Sequence, residues 1–595
     1  MLQAWLNCLD GMRVTLLFSV ALFATPLASA QNLREVQNLS YGIGGQAQEC
    51  ALAISDSQNR ALVAFITLTV SGYEVWAING ELRDGGKTWQ PTSGAWRLDS
   101  DSTGALKSDL MIEAESGFFY VGWLDDRDGV TKTKLRLSRT IDSFNPGFGP
   151  DVVIPTNDLG IDKDVKAWDI SAISNYVHIA SRSVWTASRD AVFQSHSGDS
   201  GATWFSPLLV TTPAAGVDDV DDIAIYAVIP SNVCVAWMDN RSGLNQVWVR
   251  QGDGLGWSGQ EVRLDNPSQG KAVDGLCIDG SSIGGFGGID SYQVAWCQEG
   301  AATTSESLWI ASSTAAGFNW SSAQMIGTYA AGTDDVDNPS ILSAASQVVI
   351  AWEDNRNGND QVYTVFSNDH GASFSGDLNH AGTTGAEPKL SGDDQVVALV
   401  WREVSGIDHL IIDTSVNGGQ TWNGSQELSG GLLSGDADGF SVATDSSWHN
   451  ILVAGLVDQG VGNEIWLGGT RLGQIRAIGD LTAGSTLFFK VDYVPAQEEG
   501  WWFEVVCSEN YGEWAPQAMF PRWAEIDATD GWFNRFRRLI IRGQIVGGSG
   551  QSVALNVPQL PAGLGLRLVA ILRRELPHPG GTYGTITDPI FLTVP

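Results

Sequence analysis

At 595 residues the chain is too long for one ordinary hydrophobic core and reads as at least two domains. Its 43% hydrophobic content excludes a disordered chain, and its net charge of -34 excludes a nucleic-acid or anionic-membrane surface, both of which demand a basic face. The 69 glycines and 24 tryptophans indicate many turns between many packed strands.

In chain order, Met12-Arg13, the apolar run 14–24 and the small residues Ala28-Ser29-Ala30 predict a signal peptide over 1–30, cleaved before Gln31. No later apolar run is long enough for a membrane-spanning helix. The mature protein is therefore expected to be secreted, at the cell surface or periplasmic, without an integral membrane segment. Five cysteines remain after cleavage: Cys50, Cys234, Cys277, Cys297 and Cys507. Their odd number and irregular spacing fit neither a disulfide framework nor a zinc site. Cys277 and Cys297 fall on consecutive strands of one repeat, which makes them candidates to pair; the others read as small buried hydrophobes.

Two patterns then recur. The first is an apolar strand ending in Trp-x-Asp-x-Arg, at Trp123-Asp125-Arg127, Trp237-Asp239-Arg241 and Trp352-Asp354-Arg356, with weaker copies at Trp296 and Trp401. Spacing by two puts the three side chains on one face of a strand. The second is a turn: Ser197, Asp199, Gly201, Thr203, Trp204; then Ser367, Asp369, Gly371, Ser373, Phe374; then Ser415, Asn417, Gly419, Thr421, Trp422. Degenerate copies occupy 84–89, 138–144 and 313–320. A short acceptor binds turn amides, Gly takes positive φ, and the final aromatic is expected to be buried between sheets.

The turn pattern S-x-D-x-G-x-T-W resembles the Asp box, or BNR repeat, of the sialidase-like superfamily. That resemblance implies a β-propeller in which the box is a structural turn remote from the binding face. Units begin near residues 47, 105, 164, 219, 271, 334, 385 and 436, a spacing that suits four short strands per blade. The last unit lacks a fourth strand, and residues 33–40 resemble the fourth strands elsewhere. They are expected to complete the last blade and close the ring. From 474 the repeats cease, and apolar runs at 486–493, 538–542 and 566–572 predict a small antiparallel sandwich. The expected fold is all-β: an eight-bladed propeller over 31–473, with seven blades as the alternative count, and a β-sandwich-like domain over 474–595.

Chemistry is expected where each innermost strand begins. Lys166, Asp221, Asp274, Asp337 and Asp438 occupy matched positions there, with Asp164, Asp219, Asp335 and Asp436 two residues earlier in four of the units. Asp109 and Glu387 fall one residue later. One reading is an acidic ring suited to a hydroxyl-rich or cationic ligand, with weak Ca²⁺ binding and no resident cofactor. The other is that these aspartates cap turns. Arg127, Arg241 and Arg356 read as ion pairs with Asp125, Asp239 and Asp354 rather than as receptors for a sugar carboxylate. No metal-ligand spacing, nucleophile elbow or phosphate loop occurs. Catalytic sialidases carry Arg-Ile-Pro before the first blade strand. Here the first unit reads Glu49-Cys50-Ala51, and no inner strand starts with Arg. The expected function is binding of an extracellular glycan or protein without catalysis. The alternative is a glycoside hydrolase acting on a non-sialic polysaccharide through paired carboxylates at the propeller axis.

Overall fold

The computed structural model describes residues 37–593 apart from shorter stretches, among them 83–88, 158–163, 212–219, 266–272, 300–305, 328–334, 429–435 and 509–540. The expected signal peptide and Asp219 lie outside the described residues. Among those described, no helix is long and apolar enough to cross a membrane.

The repeats fold as eight successive antiparallel sheets, seven of four strands and one of five, in a propeller-like arrangement. In most units the second strand carries an apolar run. In Asn232–Asp239 every residue is buried, as expected of a strand covered on both faces. The strands follow sequence order from innermost to outermost, except in the eighth sheet. There the fourth place is taken by Gln37–Asn38, which pairs with Leu467 and Trp466. Residues 37 and 38 thus stand where the sequence places the outer strand of the last unit.

Apolar clusters bridge each sheet to the next: Val121 and Trp123 pack with Ala64 and Ile66 of the first sheet, and Trp237 with Ala180 and Val192 of the third. Ala47, Leu52 and Val63 of the first sheet pack with Leu452 and Ala454 of the eighth. A second set of bonds links the innermost strands directly. Leu110 N donates to Glu49 (2.8 Å), Ala172 N to Glu113 (3.4 Å), Ile225 N to Asp169 (2.8 Å) and Leu276 N to Asp222 (3.2 Å). Ser343 N donates to Asp279 (2.7 Å), Leu390 N to Ser340 (3.1 Å), Lys389 Nζ to the Phe440 carbonyl (2.5 Å) and Leu52 N to Ser441 (3.1 Å). An innermost strand has no ladder partner on its free edge, so side chains of the preceding sheet satisfy it.

The three clear Ser-x-Asp turns share one geometry. The serine Oγ accepts the glycine N–H at 2.9, 3.0 and 2.9 Å in Gly201, Gly371 and Gly419. Asp199, Asp369 and Asn417 accept the N–H four residues on, at 2.8, 2.8 and 2.9 Å. The glycines adopt φ of 76°, 79° and 91°. At Gly419 a Cβ would also come within 2.5 Å of Val349 on the neighbouring sheet. Trp204, Phe374 and Trp422 pack against clusters that span adjacent sheets, but they are half-buried rather than buried. The turns lie at the sheet ends. The degenerate first copy keeps its aromatic, Trp89, fully buried.

All five described cysteines are free thiols, which corrects the expected Cys277–Cys297 pairing. In the strand register Cys277 lies opposite Ala295, while Cys297 lies opposite Asp274.

Beyond the repeats, nine strands from Gln474–Ile478 to Ile590–Thr593 hydrogen-bond into one sheet, separate from the other eight. It encloses its own core of Phe489, Phe503, Ile545, Leu568 and Leu572, a sandwich-like arrangement.

Candidate functional site: a carboxylate cluster at the inner-strand starts

All eight innermost strands break register with their neighbours near their first residues, a bulge at the same place in each unit. Four of them open on a buried valine (Val165, Val220, Val273, Val336), immediately followed by Lys166, Asp221, Asp274 and Asp337. The bulge re-aims the side chains around it. It also accounts for Asp109 and Glu387, the acids one residue late: both adopt left-handed φ, 50° and 55°, as does Asn338 at 51°. Because the third strand of a sheet runs parallel to the first, these starts lie at the end opposite the Ser-x-Asp turns.

The structure brings two of the expected residues together, Asp274 and Asp337, and adds a third, Glu306. One carboxylate oxygen of each lies within 4.8 Å of the other two, so the set could hold a divalent cation. Asp274 and Asp337 are exposed and Glu306 is half-buried. Burial, reinforced by Asp274, Asp335 and Asp337, pushes the Glu306 carboxyl up to about 8. Burial together with Asp337, Asp335, Glu299 and Asp221 raises Asp274 to about 6. Asp337 is raised as well, by burial and then by Asp335 and Asp360. Carboxyls this close oppose one another's ionisation, and Glu306 is raised to a higher value than Asp274.

The remaining expected residues are engaged differently. Lys166 Nζ pairs with Asp190 at 2.8 Å, and Arg182 binds the same carboxylate at 3.0 Å. Asp221 accepts from Asn245 Nδ2 at 2.8 Å and lies 3.8 Å from Arg182. The backbone of Asp438 lies in Asp436–Thr444, with its side chain outside the described residues. Glu306 lies outside the first strands, where the matched acidic positions recur. It opens Glu306–Ser313, the third strand of its sheet, which begins at the same end as the first.

The three repeat arginines are occupied, as the ion-pair reading expects. Arg127, Arg241 and Arg356 each bind the aspartate two residues before them, at 2.7, 2.5 and 2.5 Å. The same buried aspartates accept from the Trp Nε1 two residues earlier, at 3.2, 2.9 and 3.2 Å. Arg241 and Arg356 also reach Glu261 and Asp377 and lie 4.3 Å over the rings of Trp248 and Tyr363.

No family model and no curated relative matches the chain. Among solved structures it is similar to a Dyadobacter fermentans protein of unknown function, at 14% identity and TM-score 0.35 over 54% of this chain and 97% of that one. It is also similar to an ulvan lyase solved with a bound saccharide (13%, TM-score 0.38, 73% and 96%) and to Trypanosoma rangeli sialidase (12%, TM-score 0.31, 86% and 90%).

Proposed function

We propose that the chain is an exported, eight-bladed Asp-box propeller over 31–473, closed by its N-terminal strand and followed by an accessory domain over 474–595, that hydrolyses a neutral, non-sialic glycan at the axial carboxylates. The closed-ring reading is supported by the pairing of Gln37–Asn38 with the eighth sheet and the packing of that sheet on the first. The catalytic reading rests on one observation: a carboxylate oxygen of Glu306 stands within 4.8 Å of one of Asp274 and one of Asp337, an arrangement that favours a raised Glu306 carboxyl.

In this reading Glu306 gives its proton to the glycosidic oxygen as the C–O bond breaks. Asp337 forms the bond to the anomeric carbon, and water then displaces it, returning its proton to Glu306. The short separation favours the double-displacement geometry, in which carboxyls stand roughly 5–5.5 Å apart, over the wider spacing that admits a water. Lys166 and Asp221, with Asp438 beyond the cluster, would line the same mouth and orient hydroxyls.

The test is release of reducing ends from a panel of neutral polysaccharides. Activity lost in both Glu306→Gln and Asp337→Asn, each still undergoing a cooperative melting transition, supports hydrolysis. No release from any member of the panel sinks it. A second reading, retention of a glycan or protein without catalysis, is favoured by the exposure of Asp274 and Asp337 and by an oxygen set that fits Ca²⁺. Calorimetric Ca²⁺ binding and Ca²⁺-dependent glycan retention without reducing ends would support it instead.

A further inference from the structure

We infer that a groove on the circumference, between the outer edges of the first and second sheets, is a separate, non-catalytic binding site for a neutral pyranose unit of a glycan. The groove has a volume of about 290 Å³ and is lined by Trp96, Phe148, Pro150, Arg97, Ser100 and Asp151 among others. Trp96 belongs to Trp96–Arg97, paired on the first sheet. Phe148 and Pro150 lead into Val152–Val153, the outermost strand of the second.

The two rings meet with centroids 6.0 Å apart and planes at 56°, forming an apolar corner. Such a corner suits the C–H face of a sugar while the hydroxyls face outward. The charged groups around it are already matched. Arg97 binds Glu74 at 2.9 Å and Asp99 at 3.0 Å. Asp151 lies 3.3 Å from Arg127 and 3.2 Å from Arg136, and accepts the Ser100 N–H at 3.1 Å. A matched set of charges gives an ionic ligand no advantage to offset its desolvation, whereas a neutral, hydroxyl-rich ring loses nothing. The volume admits one or two sugar rings and no element of a protein partner. The groove stands on outer strands of the first two sheets, the carboxylate cluster on strands of the fifth and sixth. The two are therefore separable by mutation.

Binding of xylohexaose, cellohexaose, mannohexaose and laminarihexaose to the full chain is measured by calorimetry, with hexagalacturonate as the anionic control. The variants are Trp96→Ala, Phe148→Ala and Gly149→Leu. Gly149 lines the groove, and a Cβ there would meet only the Arg139 carbonyl oxygen, at 3.8 Å, so the substitution is expected to narrow the groove, with the fold checked by the melting temperature. Measured in the Glu306→Gln background, so that the axial cluster does not turn the ligand over, at least one neutral hexamer is expected to bind, about tenfold more weakly when a groove variant is added. Failure of all four neutral hexamers to bind overturns the inference. So does affinity that survives Gly149→Leu in that background, which would assign the ligand to the axial cluster.

Discussion

Asp279, on the innermost strand of the fifth sheet, accepts the backbone N–H of Ser343 on the innermost strand of the sixth at 2.7 Å. It also accepts its neighbour Gly280 N–H at 2.7 Å. Burial raises its carboxyl to about 7 even though these bonds favour the charged form. A folded pKa above the unfolded one means that its contribution to stability is complete at low pH and is lost as pH rises through about 7. Asp279→Asn keeps the acceptor and is expected to flatten the pH dependence of stability on the alkaline side. Asp279→Ala strands the Ser343 N–H at a cost of about 1–3 kcal/mol, read by urea denaturation. An alanine variant as stable as wild type would remove the stitching role.

If the axial cluster hydrolyses glycans, its pH profile is set by the same carboxyls. Activity requires an ionised nucleophile and a protonated Glu306, so the rate should fall above about 8, where Glu306 loses its proton. On the acid side it should fall as Asp274 and Asp337 are protonated, the former near 6. Glu306→Gln should abolish turnover and raise the melting temperature above pH 8, because it removes the charge that burial opposes. A Glu306→Gln variant with full activity would show the assignment wrong.

His178 and His196 face each other across neighbouring strands of the third sheet, stacked with centroids 6.3 Å apart. Both are buried, and His178 Nε2 and both ring nitrogens of His196 have no hydrogen-bond partner. Burial, then the second ring, drives His178 down to about 3; burial also lowers His196, against the opposing pull of Asp253. These neutral rings support the fold above the unfolded pKa near 6.5, and that support is lost as pH falls toward 3. The melting temperature should drop between pH 7 and 4, less steeply in His178→Gln with His196→Gln. Equal slopes would count against the pair.

Asp199 receives the Thr203 N–H at 2.8 Å and its hydroxyl at 2.7 Å. Asp199→Ala should cost about 1–2 kcal/mol, and Asp199→Asn much less, since Asn417 accepts the Thr421 N–H in its own turn and reaches the Thr421 hydroxyl by donating its Nδ2 instead of accepting. Neither change should alter ligand binding, because the turn lies at the opposite sheet end from the carboxylates. A binding defect with intact stability would contradict that separation.

The purified protein should release no sialic acid from a fluorogenic sialoside. The arginines available to the Trp-x-Asp-x-Arg pattern are each committed to an aspartate, and the cluster at the inner-strand starts is acidic. Release above a boiled control would overturn this.

The amino-acid pattern alone located the strands, the eight repeat units and the Ser-x-Asp turns, because each depends on local chemistry: period-two burial, a serine and an aspartate at fixed offsets, a glycine where φ is positive. It also placed residues 33–40 on the last unit, where Gln37–Asn38 pair, and paired each repeat arginine with its aspartate, since spacing by two on a strand leaves little choice of partner. What required the tertiary structure were relations between units. Whether Asp274 and Asp337 approach each other depends on the angle between two sheets, and Glu306 joins them from a strand whose start is distant in sequence but shares a sheet end. Cys277 and Cys297 lie on paired strands, yet a bulge and a register offset keep them from facing each other. The half-exposure of Trp204, Phe374 and Trp422 likewise depends on packing between sheets. Local periodicity carries no information about inter-sheet angle, bulge position or depth, and those three quantities decide which carboxyls meet and which of them holds a proton.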